Sequence, residues 1–131
     1  MIGVEFEQVG HWMVVQFDRE ALTDSGVINE VTAAILEKVV AMPMRGQMVI
    51  SFKGVEFVSS QMIGALLGIR NKVAAKGGRL VLCRVGAHLE DALKITGLQK
   101  MFEIQRTLRD VVKMTRKSAA SAGAGVVDWM D

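Results

Sequence analysis

Cysteine occurs once, at Cys83, and histidine only twice, at His11 and His88, in a chain of 131 residues. A single thiol excludes an internal disulfide framework, and three scattered thiol and imidazole ligands make a soft-ligand metal cluster very hard to assemble. Any histidine-dependent acid–base mechanism would have to use one of those two rings. Long apolar runs are missing too: nothing approaches the roughly 18 consecutive apolar residues of a membrane-spanning helix. Glu5 and Glu7 stand where a secretory leader carries basic residues and then a clean apolar stretch. Charge of one sign is equally scarce, since 16 Lys and Arg against 14 Asp and Glu leave a formal +2. That is too little for a polyelectrolyte-binding field, even with a pI near 8.9. The expectations are a reduced, cytoplasmic protein that neither inserts into a membrane nor binds nucleic acid, with no metal, no cofactor and no catalytic residues of its own.

What is present is apolar: half of the residues, in a chain of 14.3 kDa. That suits one compact domain with a single sizeable core. Residues 3–8 and 13–17 read as two short strands around a turn at Gly10, His11 and Trp12, so a hairpin opens the domain. A polar segment follows in which Thr23, Asp24 or Ser25 can cap a helix. In that helix Val27, Ile28, Val31, Ile35, Leu36, Val39 and Val40 keep a helical period, and Pro43 ends it. Residues 48–52 form a short buried strand, and residues 55–58 an extended link to Ser59 and Ser60. Residues 61–75 carry a broad apolar stripe closed by Lys76, Gly77 and Gly78. A continuous apolar strand at 80–83, a helix at 86–96, a strand at 102–105 and a helix at 107–117 complete the pattern. Strands alternating with helices predict an α/β domain: a mixed, mostly parallel sheet of about five strands with an N-terminal hairpin and four helices around it. The expected domain covers residues 1–117. Residues 118–131 are expected to be a flexible low-complexity tail rich in Ser, Ala and Gly, ending in an acidic and apolar hexapeptide around Trp129.

Three ordered segments carry a family resemblance. They are Ser51-Phe52-Lys53-Gly54-Val55-Glu56-Phe57-Val58-Ser59-Ser60, Gly64-Ala65-Leu66-Leu67-Gly68, and Lys76-Gly77-Gly78-Arg79-Leu80-Val81-Leu82. Together with Ile95-Thr96-Gly97-Leu98 and Met101-Phe102-Glu103-Ile104, they resemble the STAS family, the sulphate transporter and anti-sigma-factor antagonist domain, over about residues 3–116. In regulatory members the link before the second helix reads Asp-Ser-Ser/Thr-Gly, and its first serine is phosphorylated by a kinase that doubles as an anti-sigma factor. Laid on this chain, the phosphoacceptor is Ser60, with Ser59 as the alternative. Ser59 stands in place of the Asp, Gln61 in place of Ser or Thr, and Met62 in place of Gly.

The resemblance implies a bacterial, non-enzymatic partner switch. Its surface would draw on Glu20, Asp24, Ser59, Gln61, Met62 and Ile63, its partners would be a serine kinase/anti-sigma factor and a phosphatase, and ATP and Mg²⁺ would belong to the kinase. The alternative it leaves open is a constitutive, non-phosphorylated STAS module, as a scaffold subunit of a signalling assembly or a cytoplasmic regulatory subunit of a transporter.

Elementary chemistry permits a switch at Ser60. A serine at a helix start accepts exposed backbone N–H groups, and a phosphate there would sit at the positive end of the helix dipole. It adds about −1.5 to −2 charges. The same serines can equally do no more than cap a helix. Asp18, Glu20 and Asp24 read as a solvated or partner-contacting acidic loop, with a divalent-metal site as the sharper alternative. Met62 is either an exposed contact beside Ser60 or core. Gly64 and Gly68, four apart, are expected to let their helix pack closely on the sheet. Cys83 is expected to be a buried core residue, and neither histidine is placed near a nucleophile by any motif.

Overall fold

The structure, a computed structural model, describes residues 3–114. It opens on two strands, β1 (Val4–Val9) and β2 (Trp12–Phe17), paired antiparallel with Val9 opposite Trp12. Only Gly10 and His11 turn the chain, and Gly10 takes φ +59°, as the first position of a two-residue hairpin loop favours. Trp12, expected in the turn, is the first residue of β2 and is fully buried.

A two-residue strand β3 (Ala21–Leu22) leads to helix α1 (Ser25–Ala41). Then come β4 (Gln47–Ser51), a second two-residue strand β5 (Phe57–Val58), and helix α2 (Ser60–Ala75). Strand β6 (Arg79–Cys83), helix α3 (Ala87–Ile95), a 3₁₀ turn (Leu98–Met101), strand β7 (Glu103–Gln105) and helix α4 (Leu108–Lys113) follow. The sheet runs β1-β2-β4-β6-β7, parallel throughout except for the opening hairpin. The expected α/β fold, with about five mostly parallel strands, an N-terminal hairpin and four helices, is the one observed.

Alternation along each strand divides the core in two. Met13, Val15, Phe17, Met48, Ile50, Leu80 and Leu82 face α1, α2 and α3 in the larger cluster. Trp12, Val14, Val49, Val81 and Cys83 face the other way, beneath Leu108, Val111 and Val112 of α4. Both faces are covered, which is why β4 and β6 read as nearly continuous apolar runs. Helix α1 buries Ile28, Val31, Ile35 and Val39, one stripe at three- and four-residue spacing. Lys76, expected only as a cationic last turn, does more: its Nζ donates to the carbonyls of Val39 at 2.9 Å and Val40 at 3.0 Å, and also to that of Met42. The C-terminal end of α1 is thereby held by the end of α2. Beside them a Cβ on Gly78 would lie 2.7 Å from the Gly46 carbonyl, so this crossing requires glycine.

Two expectations are corrected. Gly64 and Gly68 are exposed, and a Cβ on either would meet nothing within 4 Å, so they do not bring α2 close to the sheet. The strands β3 and β5 form a separate two-stranded parallel ladder, where the sequence suggests only a polar loop and an extended link. The boundary expected at residue 117 and the tail 118–131 lie outside the described residues.

Candidate functional site

The link before α2 is fastened to the acidic loop by backbone bonds. The amides of Glu56 and Phe57 donate to the Glu20 carbonyl at 2.7 and 3.2 Å, and the Ser59 amide donates to the Leu22 carbonyl at 3.0 Å. These bonds place the starts of α1 and α2 together at one end of the sheet. Each start is capped by the residue before it. Asp24 Oδ2 accepts the Val27 amide at 2.9 Å, and Ser59 Oγ accepts the Met62 amide at 3.3 Å. Gln61 bridges the two helices, its Nε2 donating to Asn29 Oδ1 at 3.2 Å.

The two serines therefore differ. Ser59 is the cap, with extended backbone (φ −82°, ψ 165°), whereas Ser60 is the first helical residue and is exposed. Helix α2 has no acid in its first turn, so the positive end of its dipole carries no side-chain counter-charge there.

Burial redraws the expected contact surface. Glu20, Asp24, Ser60 and Gln61 are exposed and Ser59 is half-buried, all around the paired helix starts. Met62 is fully buried and Ile63 nearly so; both belong to the main core. The expectation that they contact a partner is corrected, because at the third and fourth positions after the Ser59 cap the helical turn carries both side chains beneath α2.

Other residues complete the site that sequence reasoning did not single out. Phe57 is 50% exposed, a large cost for an aromatic ring, and its edge contact with His88 has ring centroids 5.8 Å apart. His88 Nε2 lies 3.2 Å from the Val58 carbonyl, an arrangement in which the ring N–H donates. Two flanking valines, Val55 and Val58, are buried while Glu56 and Phe57 between them are not. No alternation therefore marks Phe57 as an outward residue.

Electrostatics sharpen the picture. The Glu56 carboxyl lies above the ordinary 4.5 because it shares a hydrogen bond with the Glu20 carboxyl, because the two charges repel, and because of slight desolvation. Glu56 also borders a recess of about 340 Å³ with Lys53, Arg84 and Arg106, where the acidic strip gives way to basic side chains. Among the described residues no group of three His, Cys, Asp or Glu side chains converges to hold a metal ion. His88 engages Val58 and Phe57 rather than Ser60.

An antiparallel hairpin feeding a parallel sheet, with two capped helix starts side by side at one end, defines a small α/β domain whose distinctive surface is suited to contact. The chain belongs to the STAS family: the STAS domain matches residues 4–111. Solved structures share the fold. An anti-sigma-factor antagonist (STAS) domain protein from Planctomyces limnophilus superposes with a TM-score of 0.75 at 17% identity, covering 82% of this chain and 92% of that one. The Bacillus cell fate determinant SpoIIAA in its phosphorylated form gives a TM-score of 0.64 at 18% identity, covering 86% and 99%. The murine anion transporter Slc26a9 gives 0.64 at 14% identity, covering 81% of this chain but 18% of the transporter. No curated protein sequence matches the chain. Among the described residues no helix is long and apolar enough to cross a membrane.

Proposed function

We propose that the protein is a non-enzymatic, cytoplasmic partner switch of the anti-sigma-factor antagonist type, gated by phosphorylation of Ser60. The exposed Ser60 hydroxyl, at the start of a helix with no acid in its first turn, carries this reading. A phosphate there would meet the first-turn amides and the helix dipole without unfolding the domain, since the cap belongs to Ser59. The surface offered to a serine kinase/anti-sigma factor would comprise Glu20, Asp24, Phe57, Ser59, Ser60 and Gln61. An exposed aromatic within a polar rim is the composition of a binding hot spot. Phosphorylation would reverse the local charge of that rim and weaken the complex, and a phosphatase would reset it. Phosphorylated SpoIIAA, similar in fold, supports the scheme by analogy.

The test is incubation with a cognate kinase and ATP, followed by mass mapping. The expected result is one phosphate on Ser60, none on Ser60→Ala, and loss of kinase binding by Ser60→Asp. Phosphate on Ser59 instead would overturn the assignment. A second reading rests on one observation: Ser59 and Gln61, which depart from the regulatory signature, are both tied into the fold by hydrogen bonds. It makes the chain a constitutive STAS module, and a stable partner whose affinity ignores Ser60→Asp would establish it.

A further inference from the structure

The two ends of the sheet carry complementary features. Where β2 and β4 begin, a recess of about 370 Å³ is walled by His11, Pro43, Met44, Arg45, Gly46 and Gln47, and a second of about 260 Å³ adjoins it and adds Lys38. Among the described residues no Asp or Glu lines either recess, and Met44 is 70% exposed. Where those strands end, the β3–β5 ladder gathers Phe57, itself 50% exposed, with Glu20 and Glu56, and Asp24 follows β3. One end is thus concave, apolar and cationic, and the other is an exposed ring within an acidic strip. Large apolar side chains left in water at both ends favour a cover.

The fold sets the two ends in register. Both features lie over the β1-β2-β4 half of the sheet: the recesses take their walls from the β1–β2 turn and the segment joining α1 to β4, and Phe57 pairs with Ala21, just after β2. Helix α1 runs between them, with Asp24 capping its start and Lys38 in its last turn. The cations Arg84 and Arg106, which follow β6 and β7, stand toward the other edge of the sheet. Helix α1 has 17 residues at about 1.5 Å each. A second copy shifted along the strands by somewhat more than that length meets the first with its acidic end against a basic one.

We propose that copies of this chain associate head to tail, Phe57 of one copy entering the recess at Pro43 and Met44 of the next while Glu20 and Asp24 face Lys38 and Arg45. Pairing like ends would set acid against acid or cation against cation, which is costly. The contact is therefore heterologous: each copy uses one end and offers the other, so association continues past two copies. It also covers Glu20, Asp24 and Phe57, so self-association competes with the kinase partner for one surface. That competition rests on the partner-switch reading above, whereas the association itself does not.

Sedimentation of the full chain at low salt tests it. The weight-average mass is expected to start at 14.3 kDa, climb past two chains as concentration rises, and fall back in high salt. Two variants each lose one end: Met44→Asp/Arg45→Glu, at exposed positions, and Phe57→Ser/Glu20→Lys. With far-ultraviolet circular dichroism unchanged, each alone is expected to remain a single chain. Their equimolar mixture is expected to form a one-to-one complex that grows no further, because each variant keeps the end that the other has lost. Should Phe57→Ser disturb the β3–β5 ladder, Glu20→Lys alone replaces that variant and should weaken association several-fold. A parent chain that keeps the mass of one copy at millimolar concentration would overturn the proposal. So would association that stops at two copies, that survives Met44→Asp/Arg45→Glu, or that the mixture of variants does not restore. None of these readouts involves a kinase, so their outcome is separate from the assignment of Ser60.

Discussion

Ser59 Oγ accepts the Met62 amide at 3.3 Å, and this bond gives adjacent serines different tasks. Removing an N-cap hydroxyl costs about 1 kcal/mol, whereas an exposed first-turn serine contributes within about 0.5 kcal/mol. Ser59→Ala is therefore expected to lower the urea midpoint measurably, while Ser60→Ala leaves it nearly unchanged. Equal effects from the two substitutions would mean that the cap is shared and that Ser60 is not free to be modified without loss of stability.

The Glu20 and Glu56 carboxyls give the same end of the molecule a pH dependence. Their shared hydrogen bond and mutual repulsion raise the Glu56 value in the folded state. The folded protein thus holds that proton more tightly than the unfolded chain. The resulting stabilisation is fully present below the unfolded carboxyl value, and it is lost as pH rises through the folded one. At neutral pH the two charges only repel, weakly, because both side chains are exposed and screened by salt. Glu56→Gln keeps a donor for Glu20 and removes the repulsion. Its melting temperature should exceed that of the parent at neutral pH and low salt, with the difference shrinking on acidification into the carboxylate range and in high salt. A constant difference across pH would disconnect Glu56 from Glu20.

Lys76 supplies a third measurement. Its ammonium serves the carbonyls of Val39, Val40 and Met42 at the end of α1, of which that of Val39 also accepts the Met42 amide at 3.2 Å. Lys76→Met keeps most of the stem and removes the donors. A loss of about 1–2 kcal/mol is expected, on the scale of hydrogen bonds to charged groups with allowance for partial exposure. Denaturant unfolding at fixed m-value checks it, and a loss indistinguishable from zero would show that water replaces the ammonium at no cost.

The architecture was legible because burial imposes a period. Ile28, Val31, Ile35 and Val39 spell a helix face, and residues 80–83 spell a strand covered on both sides. What escaped was set by contacts between distant segments. Ala21 and Leu22 become a strand only because Phe57 and Val58 arrive beside them, and two residues carry no period of their own. Gln61 meets Asn29 across 32 positions. Met62 was ambiguous because helix α2 has a broad apolar face, and only the phase set by the Ser59 cap decides that residue 62 turns inward while 60 and 61 turn out. Phe57 was missed for the opposite reason, being an aromatic residue in an apolar stretch that nonetheless faces water.

Gly64 and Gly68 have no internal purpose, since nothing lies within 4 Å of a Cβ at either. Glycine in a helix interior costs about 0.5–1 kcal/mol relative to alanine. Gly64→Ala and Gly68→Ala should each raise stability by that amount, read as a higher melting temperature or urea midpoint. Both positions continue the exposed side of α2 that begins at Ser60, at successive four-residue steps. A partner that grips Ser60 and lies along the helix would meet both as bare backbone, and added methyl groups would hold it off. The expected pair of results is a gain in stability with a loss in partner affinity, larger for Gly64 than for Gly68 because Gly64 is one turn from the serine. Gain in stability with affinity unchanged at both positions would confine the partner to the helix start and the Glu20–Phe57 rim.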